Sequence, residues 1–318
     1  MINADKPHLW KQDVVASVRM YNDWFLGAAP EAFKTTRFEA VDRIEQLMQA
    51  TDDMRNITPA LLKANPSIIN GLRMSTSPPL ARDRLMGLAG LPNNNLLKAL
   101  EGGRLPPRMA VSELDLQLGR ICDMISRLLD TDLFLWLPAE KPADEWEREL
   151  AATVVADRLC GALADPIVRN AQEQRQLALI EQWLQARGYR KQNLQSGLRL
   201  QEMERGSFSF RQNVVVRNDA GKSVNIPVDA VIMPFDAPSE SYPVLIEAKS
   251  AGDFTNTNKR RKEEATKVRQ LKQTYGESID LTLFLCGYFD AGYLGYEAAE
   301  GIDWVWEHRI DDMEQLLG

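Results

Sequence analysis

Three charged residues lie in or directly after two apolar runs of the chain. Asp229 interrupts the Val and Ile run at 228–232, and Glu247 and Lys249 follow the run that begins at Pro243. Short apolar runs bounded by Pro, Ser and Gly are typical of interior strands, on which residues two apart share a face. Charges at the edge of an apolar sheet are costly unless they pair or bind a metal ion. The three residues are therefore candidates for a functional site.

These residue types are suited to phosphodiester hydrolysis. Carboxylates of Asp229 and Glu247 on adjacent strands could bind Mg²⁺, which takes one or two protein carboxylates, and the backbone carbonyl of Ala248 could add a third oxygen. Lys249 would then orient an attacking water and stabilise charge on the attacked phosphate. The alternative is a structural ion pair, Glu247 with Lys249 or Asp229 with Lys222, of the kind that contributes little to stability.

The elements that must position these residues follow a regular order in the C-terminal half. Asp165 before Pro166 predicts the start of a helix that Gly188 ends. The elements expected after it are a strand at 208–216, a turn at 218–221, a strand through Asp229, a strand through Glu247, a helix at 258–275 and a strand at 281–286. The expected fold class is α/β (α+β), a small mixed β-sheet flanked by helices.

The segment Pro227-Val228-Asp229, together with Glu247-Ala248-Lys249, resembles the PD-(D/E)xK nuclease signature. It departs from the signature by the insertion of Val228 between Pro and Asp. The element order matches the α-β-β-β-α-β core of that superfamily. The insertion has no effect if Asp229 keeps the inward face of its strand. If Asp236 were the ligand instead, the strand register drawn here would be wrong.

The resemblance extends to the XamI-type type II restriction endonucleases, over about residues 20–310. It is carried by the segments at 72–76, 78–85 and 245–253. It implies Mg²⁺-dependent, sequence-specific double-strand cleavage of DNA by a homodimer. Three alternatives stay open: a repair or recombination nuclease without strict specificity, a non-catalytic DNA-binding protein that keeps the fold, and a protein unrelated to DNA.

The helix before the sheet offers a further acidic residue. In several restriction nucleases this helix lends a carboxylate to the metal site, and Glu173 or Glu181 could do so here. The alternative for Glu173 is a salt bridge with Arg169 or Arg175 on the same helix. We take Glu173 as the candidate fourth catalytic residue.

Two clusters of residues are candidates for contact with double-stranded DNA. Hydroxyl and guanidinium groups can grip phosphates and read guanine edges, and the first cluster offers them at Arg73, Ser75, Thr76, Arg82 and Arg84. The alternative for this cluster is a solvated loop with a helix cap. The second cluster is the helix after Lys249, where 255–275 carries seven cations and two acids. Its candidates for backbone contact are Lys259, Arg260, Arg261, Lys262 and Lys267.

The N-terminal half has the patterns of helices. Aromatic residues are spaced for a helix at about 11–25, and a capping box at Thr36 predicts a second helix that runs to Gln49. The short run at 133–137 is either a turn of buried helix or a core strand.

We therefore expect two domains. Residues 1–160 form a mainly helical region, to which we assign DNA recognition and dimerisation, and residues 161–318 form the nuclease domain.

Composition restricts the class of protein. The net charge of −7 argues against a nonspecific nucleic-acid coat protein, although local basic patches still permit a DNA enzyme. Three scattered cysteines without a CxxC pair indicate reduced core thiols and argue against a zinc site. The sequence has no apolar run long enough for a membrane helix and no signal pattern at its start. We expect a cytoplasmic protein without a membrane partner.

Overall fold

The computed structural model describes residues 1–193, 200–218, 220–255 and 257–318, with the side chains of 257–261 left undescribed. Its contacts divide the chain into two compact units, one of residues 1–28 and 169–318 and the other of residues 29–168. The assignment of 1–160 to recognition and dimerisation stays a prediction. None of the helices in the described residues has the length and apolarity of a membrane span.

Ten α-helices are found in the described residues. Their bounds are α1 Pro7–Ala50, α2 Pro59–Ala64, α3 Ile69–Met74, α4 Arg82–Leu88, α5 Asn95–Glu101, α6 Val111–Arg127, α7 Glu145–Ala186, α8 Thr257–Tyr275, α9 Ala291–Ala299 and α10 Glu314–Leu317. Short 3₁₀ helices lie at Pro66–Ile68, Leu200–Glu202 and Glu307–Met313.

The strands form one mixed sheet in the unit that contains the C-terminal half. They are β1 Arg190–Lys191, β2 Ser207–Arg217, β3 Ser223–Met233, β4 Val244–Ala251, β5 Leu281–Gly287 and β6 Trp304–Trp306, and they neighbour one another in chain order. The β2/β3 and β3/β4 pairs are antiparallel, while the other pairs are parallel. This arrangement confirms the expected mixed α/β fold with a helical N-terminal region.

Helices cover both faces of this sheet. On one face, Ile180 and Leu184 of α7 pack with Ile246 of β4 in a single buried cluster. On the other face, Leu271 of α8 packs with Leu245. Residues that alternate along a strand point to opposite faces, so neighbouring residues of β4 contribute to different clusters.

Two helix starts predicted from the sequence are wrong. Thr36 lies inside the continuous helix α1, and its hydroxyl donates to the carbonyl of Ala32 at 2.7 Å. Pro166, expected at the first position of a new helix, lies inside α7. Capping residues and prolines act locally, and the packing of a long helix can override them.

The run at 133–137 is neither helix nor strand but a series of turns, in which Phe134 and Trp136 are buried. The turn predicted at 218–221 includes Asp219, which lies outside the described residues.

Candidate active site

The ladder between β3 and β4 ends where the candidate acids begin. The last registered pair is Ala230 with Ile246, so Asp229 and Glu247 occupy the next position on their strands. Asp229 Oδ2 accepts a hydrogen bond of 2.8 Å from the backbone N–H of Ala248. The aspartate therefore continues the contact between the two strands through its side chain.

A local break in β2 lies opposite this aspartate. The register pairs Phe210 with Ala230 and Gln212 with Val228, which leaves Arg211 opposite Asp229. Arg211 has φ +52°, a left-handed conformation uncommon outside glycine. Beyond the break the even-numbered residues of β2 change sides, because Phe210 packs with the α7 cluster and Val214 with the α8 cluster.

Glu247 is buried between two ammonium groups. Its Oε1 lies 3.0 Å from Lys249 Nζ and its Oε2 lies 2.7 Å from Lys267 Nζ of α8. Lys249 is also 3.4 Å from Oε1 of Glu264, again from α8. Helix α8 thus supplies two charged side chains to the candidate site.

The electrostatics differ between the acid and the base. Burial and, after it, the charge of Glu247 raise the pKa of Asp229 to about 6, although the Ala248 N–H and Lys249 act in the opposite direction. Burial works against the charge of Lys249, but Glu247 and Glu264 outweigh it and raise the pKa of the ammonium above its ordinary value. Lys249 therefore stays charged at neutral pH.

The oxygen atoms around Asp229 and Glu247 suit a divalent ion. Within the described residues no three His, Cys, Asp or Glu side chains are grouped to hold a metal. Mg²⁺ needs only one or two carboxylates, and Asp229 and Glu247 are near enough to oppose each other's charge. The carbonyl of Ala248 points to the same side of β4 as its N–H, towards Asp229. Asp229, Glu247 and this carbonyl fit a hard cation, which would relieve the repulsion.

Glu173 and Glu181 occupy different surroundings on α7. Glu173 pairs with Arg211 at 2.9 Å, and its charge contributes to the raised pKa of Asp229. Glu181 pairs with Lys191 of β1 at 2.8 Å. Arg175, one expected partner of Glu173, instead pairs with Glu307 at 2.6 Å. Glu173 is therefore linked electrostatically to Asp229.

The first candidate DNA cluster is folded into the helical unit. Ser75 and Thr76 are buried, and their hydroxyls donate to the carbonyls of Gly71 and Pro78 at 3.0 and 2.8 Å. DNA contact by these hydroxyls would require the segment to open.

The arginines of this cluster divide into two groups. Arg73 and Arg82 both pair with Glu101, at 2.7 and 2.5 Å. Arg84 is exposed.

The second candidate DNA cluster lies along α8. Lys262 is exposed, and Lys267 faces Glu247. The side chains of Lys259, Arg260 and Arg261 lie outside the described residues.

Sequence reasoning missed two residues of this site, Glu264 and Arg211. Glu264 was counted only as a charge of α8, although it is buried against Lys249. Its spacing of three residues from Lys267 is a signal that both share one helix face. Arg211 was not predicted either, because no sequence pattern indicates its left-handed conformation.

Comparison with known proteins gives a consistent result. The sequence model described as XamI restriction endonuclease matches residues 52–306. The chain is 63% identical over 314 residues to the type II restriction enzyme SalI of Streptomyces albus G, covering 99% of each chain. No solved structure matches it. With a family match over most of its length and a relative this similar over the whole of it, the chain belongs to the XamI restriction endonuclease family.

Proposed function

We propose that this protein is a type II restriction endonuclease that makes sequence-specific double-strand cuts in DNA by Mg²⁺-dependent hydrolysis. The observation that carries the proposal is the meeting of Asp229, Glu247 and Lys249 where the ladder between β3 and β4 ends. Family membership supports it, since the family and the SalI relative are named as restriction enzymes.

The residues that would hold Mg²⁺ are Asp229, Glu247 and the carbonyl of Ala248. When bound there, the ion would lower the pKa of a water and neutralise charge on the attacked phosphate. Asp229 must give up its proton to serve as a ligand, and its raised pKa still leaves it ionised at neutral to alkaline pH. Glu173 is the candidate for a further acidic contribution from α7.

Lys249 acts on the phosphate and on the nucleophile. Its ammonium donates hydrogen bonds that orient the attacking water and stabilise negative charge growing on the phosphate oxygens. The water oxygen forms a bond to phosphorus while the bond from phosphorus to the 3′ oxygen breaks. The water loses one proton to solvent and the 3′ oxygen gains one, which leaves a 5′-phosphate and a 3′-hydroxyl.

DNA recognition is assigned to surfaces outside this hydrolytic centre. The exposed Lys262 and the other cations of α8 would neutralise backbone phosphates close to the hydrolytic centre. Arg84 and the helical region at 1–160 would contribute to site recognition and dimerisation. A homodimer follows because one centre cuts one strand, and two-fold symmetry matches a palindromic site. With DNA as the substrate, the proposed place of action is the cytoplasm.

The function is tested by digesting a phage genome with the purified protein and Mg²⁺ and sequencing the ends. The proposal expects discrete fragments whose ends share one short sequence. Uniform cutting would select a repair or recombination nuclease. Binding without any cutting would select a non-catalytic DNA-binding protein.

A further inference from the structure

Helix α8 presents an acid and a base to the charged residues of β4. Glu264 and Lys267 are three residues apart, which places them on one face of the helix. Glu264 is 1% exposed and lies 3.4 Å from Lys249, while Lys267 lies 2.7 Å from Glu247. The pair on the helix therefore meets the pair on the strand with opposite charges facing each other.

The four side chains form an alternating series, in the order Lys267, Glu247, Lys249 and Glu264. Each neighbouring pair is within 3.4 Å. A buried charge is costly unless an opposite charge compensates it. The series thus stabilises the positive charge of Lys249 in a place where water is largely excluded. On an exposed lysine, solvent would provide this stabilisation.

The proposed reaction requires different interactions from Glu264 and Glu247. Glu247 would turn one or both of its oxygens towards the divalent ion, which leaves fewer of its lone pairs for the ammonium of Lys249. An ammonium has three protons to donate, and Oε1 of Glu264 forms an ion pair with it at 3.4 Å, as a second carboxylate beside Glu247. The other oxygen of Glu264, Oε2, lies 3.5 Å from the hydroxyl of Tyr293 on α9, which restricts the orientation of the carboxylate.

We propose that Glu264 is a positioning residue, which holds the ammonium of Lys249 at the scissile phosphate while Glu247 is engaged elsewhere. The inference rests on the proposed hydrolytic function and deepens it. Glu264 itself touches neither water nor phosphate. Its effect reaches the reaction through Lys249 alone.

The test compares Glu264→Gln with Glu263→Gln. Both variants remove one negative charge from α8, but Glu263 is exposed. Single-turnover cleavage at saturating DNA gives the rate of the chemical step, DNA affinity is measured without divalent ion, and circular dichroism gives the folded fraction. We expect Glu264→Gln to cleave about 10- to 100-fold more slowly than Glu263→Gln, the usual loss for a residue that orients a catalytic group. DNA affinity should be equal in the two variants.

Equal cleavage rates for the two folded variants would overturn the inference. A loss confined to DNA affinity would overturn it too, because Glu264 would then affect DNA binding and not the chemical step. If Glu264→Gln does not fold, Glu264→Asp replaces it, since this change keeps the charge and withdraws the carboxylate by one methylene. Glu264→Asp must then lose rate without losing DNA affinity, and an unchanged rate refutes the proposal. Failure of the wild-type protein and Glu263→Gln to cut at all would count against the proposed function itself.

Discussion

Asp229 lies in surroundings that oppose its charge. Burial raises its pKa to about 6, and the neighbouring charge of Glu247 acts in the same direction. An apolar residue at this position would stabilise the sheet at least as well, because burying a carboxylate carries a desolvation cost. Strongly perturbed carboxylates of this kind are typical of functional sites.

The raised pKa predicts how Asp229 affects stability in the absence of metal. A folded-state pKa above the ordinary value of 3.8 means that the folded protein binds the proton more tightly. This contribution is complete below pH 3.8 and is lost as the pH rises through about 6. The shift corresponds to about 3 kcal/mol, at 1.36 kcal/mol per pKa unit.

The measurement is chemical denaturation of Asp229→Asn and wild type in EDTA. The stability of the variant relative to wild type should increase between pH 4 and pH 8, by at most about 3 kcal/mol. Asp236→Asn is the matched control, because Asp236 is exposed. A difference that stays flat over this pH range would contradict the assigned environment.

Arg73 is placed to stabilise the helical unit. Its guanidinium donates to Glu101 at 2.7 Å and to the carbonyl of Leu80 at 2.6 Å, and its side chain is 12% exposed. Replacing it with Ala leaves a largely buried acid with one partner fewer. We expect Arg73→Ala to lower the free energy of unfolding by about 2–4 kcal/mol.

The control for this change is Arg84→Ala, which removes the same atoms from an exposed arginine. Its effect on stability should stay within about 0.5 kcal/mol. Chemical denaturation of both variants measures the contribution of each arginine to the stability of the helical unit. The affinity of both variants for the cognate site shows whether Arg73 also reads bases. Full stability of Arg73→Ala combined with lost site discrimination would favour direct reading by Arg73.

At the scale of elements, two helices on opposite faces of one sheet position the site. Helix α7 brings Glu173 towards Asp229, and α8 brings Glu264 and Lys267 against Glu247 and Lys249. Strands β3 and β4 supply Asp229, Glu247 and Lys249 where the ladder between the two strands ends. The site therefore depends on how the helices dock on the sheet as well as on the strand motif.

Part of this arrangement could be predicted from the sequence. The strands around Asp229 and Glu247 were recognisable because apolar runs between turn residues are typical of interior strands. The continuity of α1 and α7 was not predictable from Thr36 and Pro166, since both are local signals of an end that packing overrides. The inward orientation of Lys267 depends on tertiary docking, which a count of charges does not contain.

The exposed part of α8 makes a prediction about salt dependence. If Lys262 neutralises one DNA phosphate, Lys262→Gln should weaken binding to all sequences alike. It should also reduce the slope of log affinity against log salt by about 1. The measurement is a titration of DNA binding from low to moderate salt.

The control for this titration is Lys222→Gln, because Lys222 is an exposed lysine outside both α8 and residues 1–160. Its slope should equal that of wild type. An unchanged slope for Lys262→Gln would remove Lys262 from the DNA-contacting surface.

At the scale of the whole molecule, the chain combines a sheet-containing unit with a helical unit at residues 29–168. The family match runs through both, from residue 52 to residue 306. The hydrolytic candidates lie in the sheet-containing unit, while Arg73 and Arg84 lie in the helical unit. This division supports the proposal that one unit cuts and the other contributes to recognition.

The central claim is that Asp229, Glu247 and Lys249 form one hydrolytic centre. Its most direct test is single-turnover cleavage of DNA carrying the identified site, by Asp229→Ala and Lys249→Ala beside wild type. Lys222→Ala, which alters an exposed lysine, is the control. We predict that the first two variants lose about 1,000-fold or more in rate while still binding the site, and that the control cuts normally. Cleavage by either variant at the wild-type rate would contradict the account.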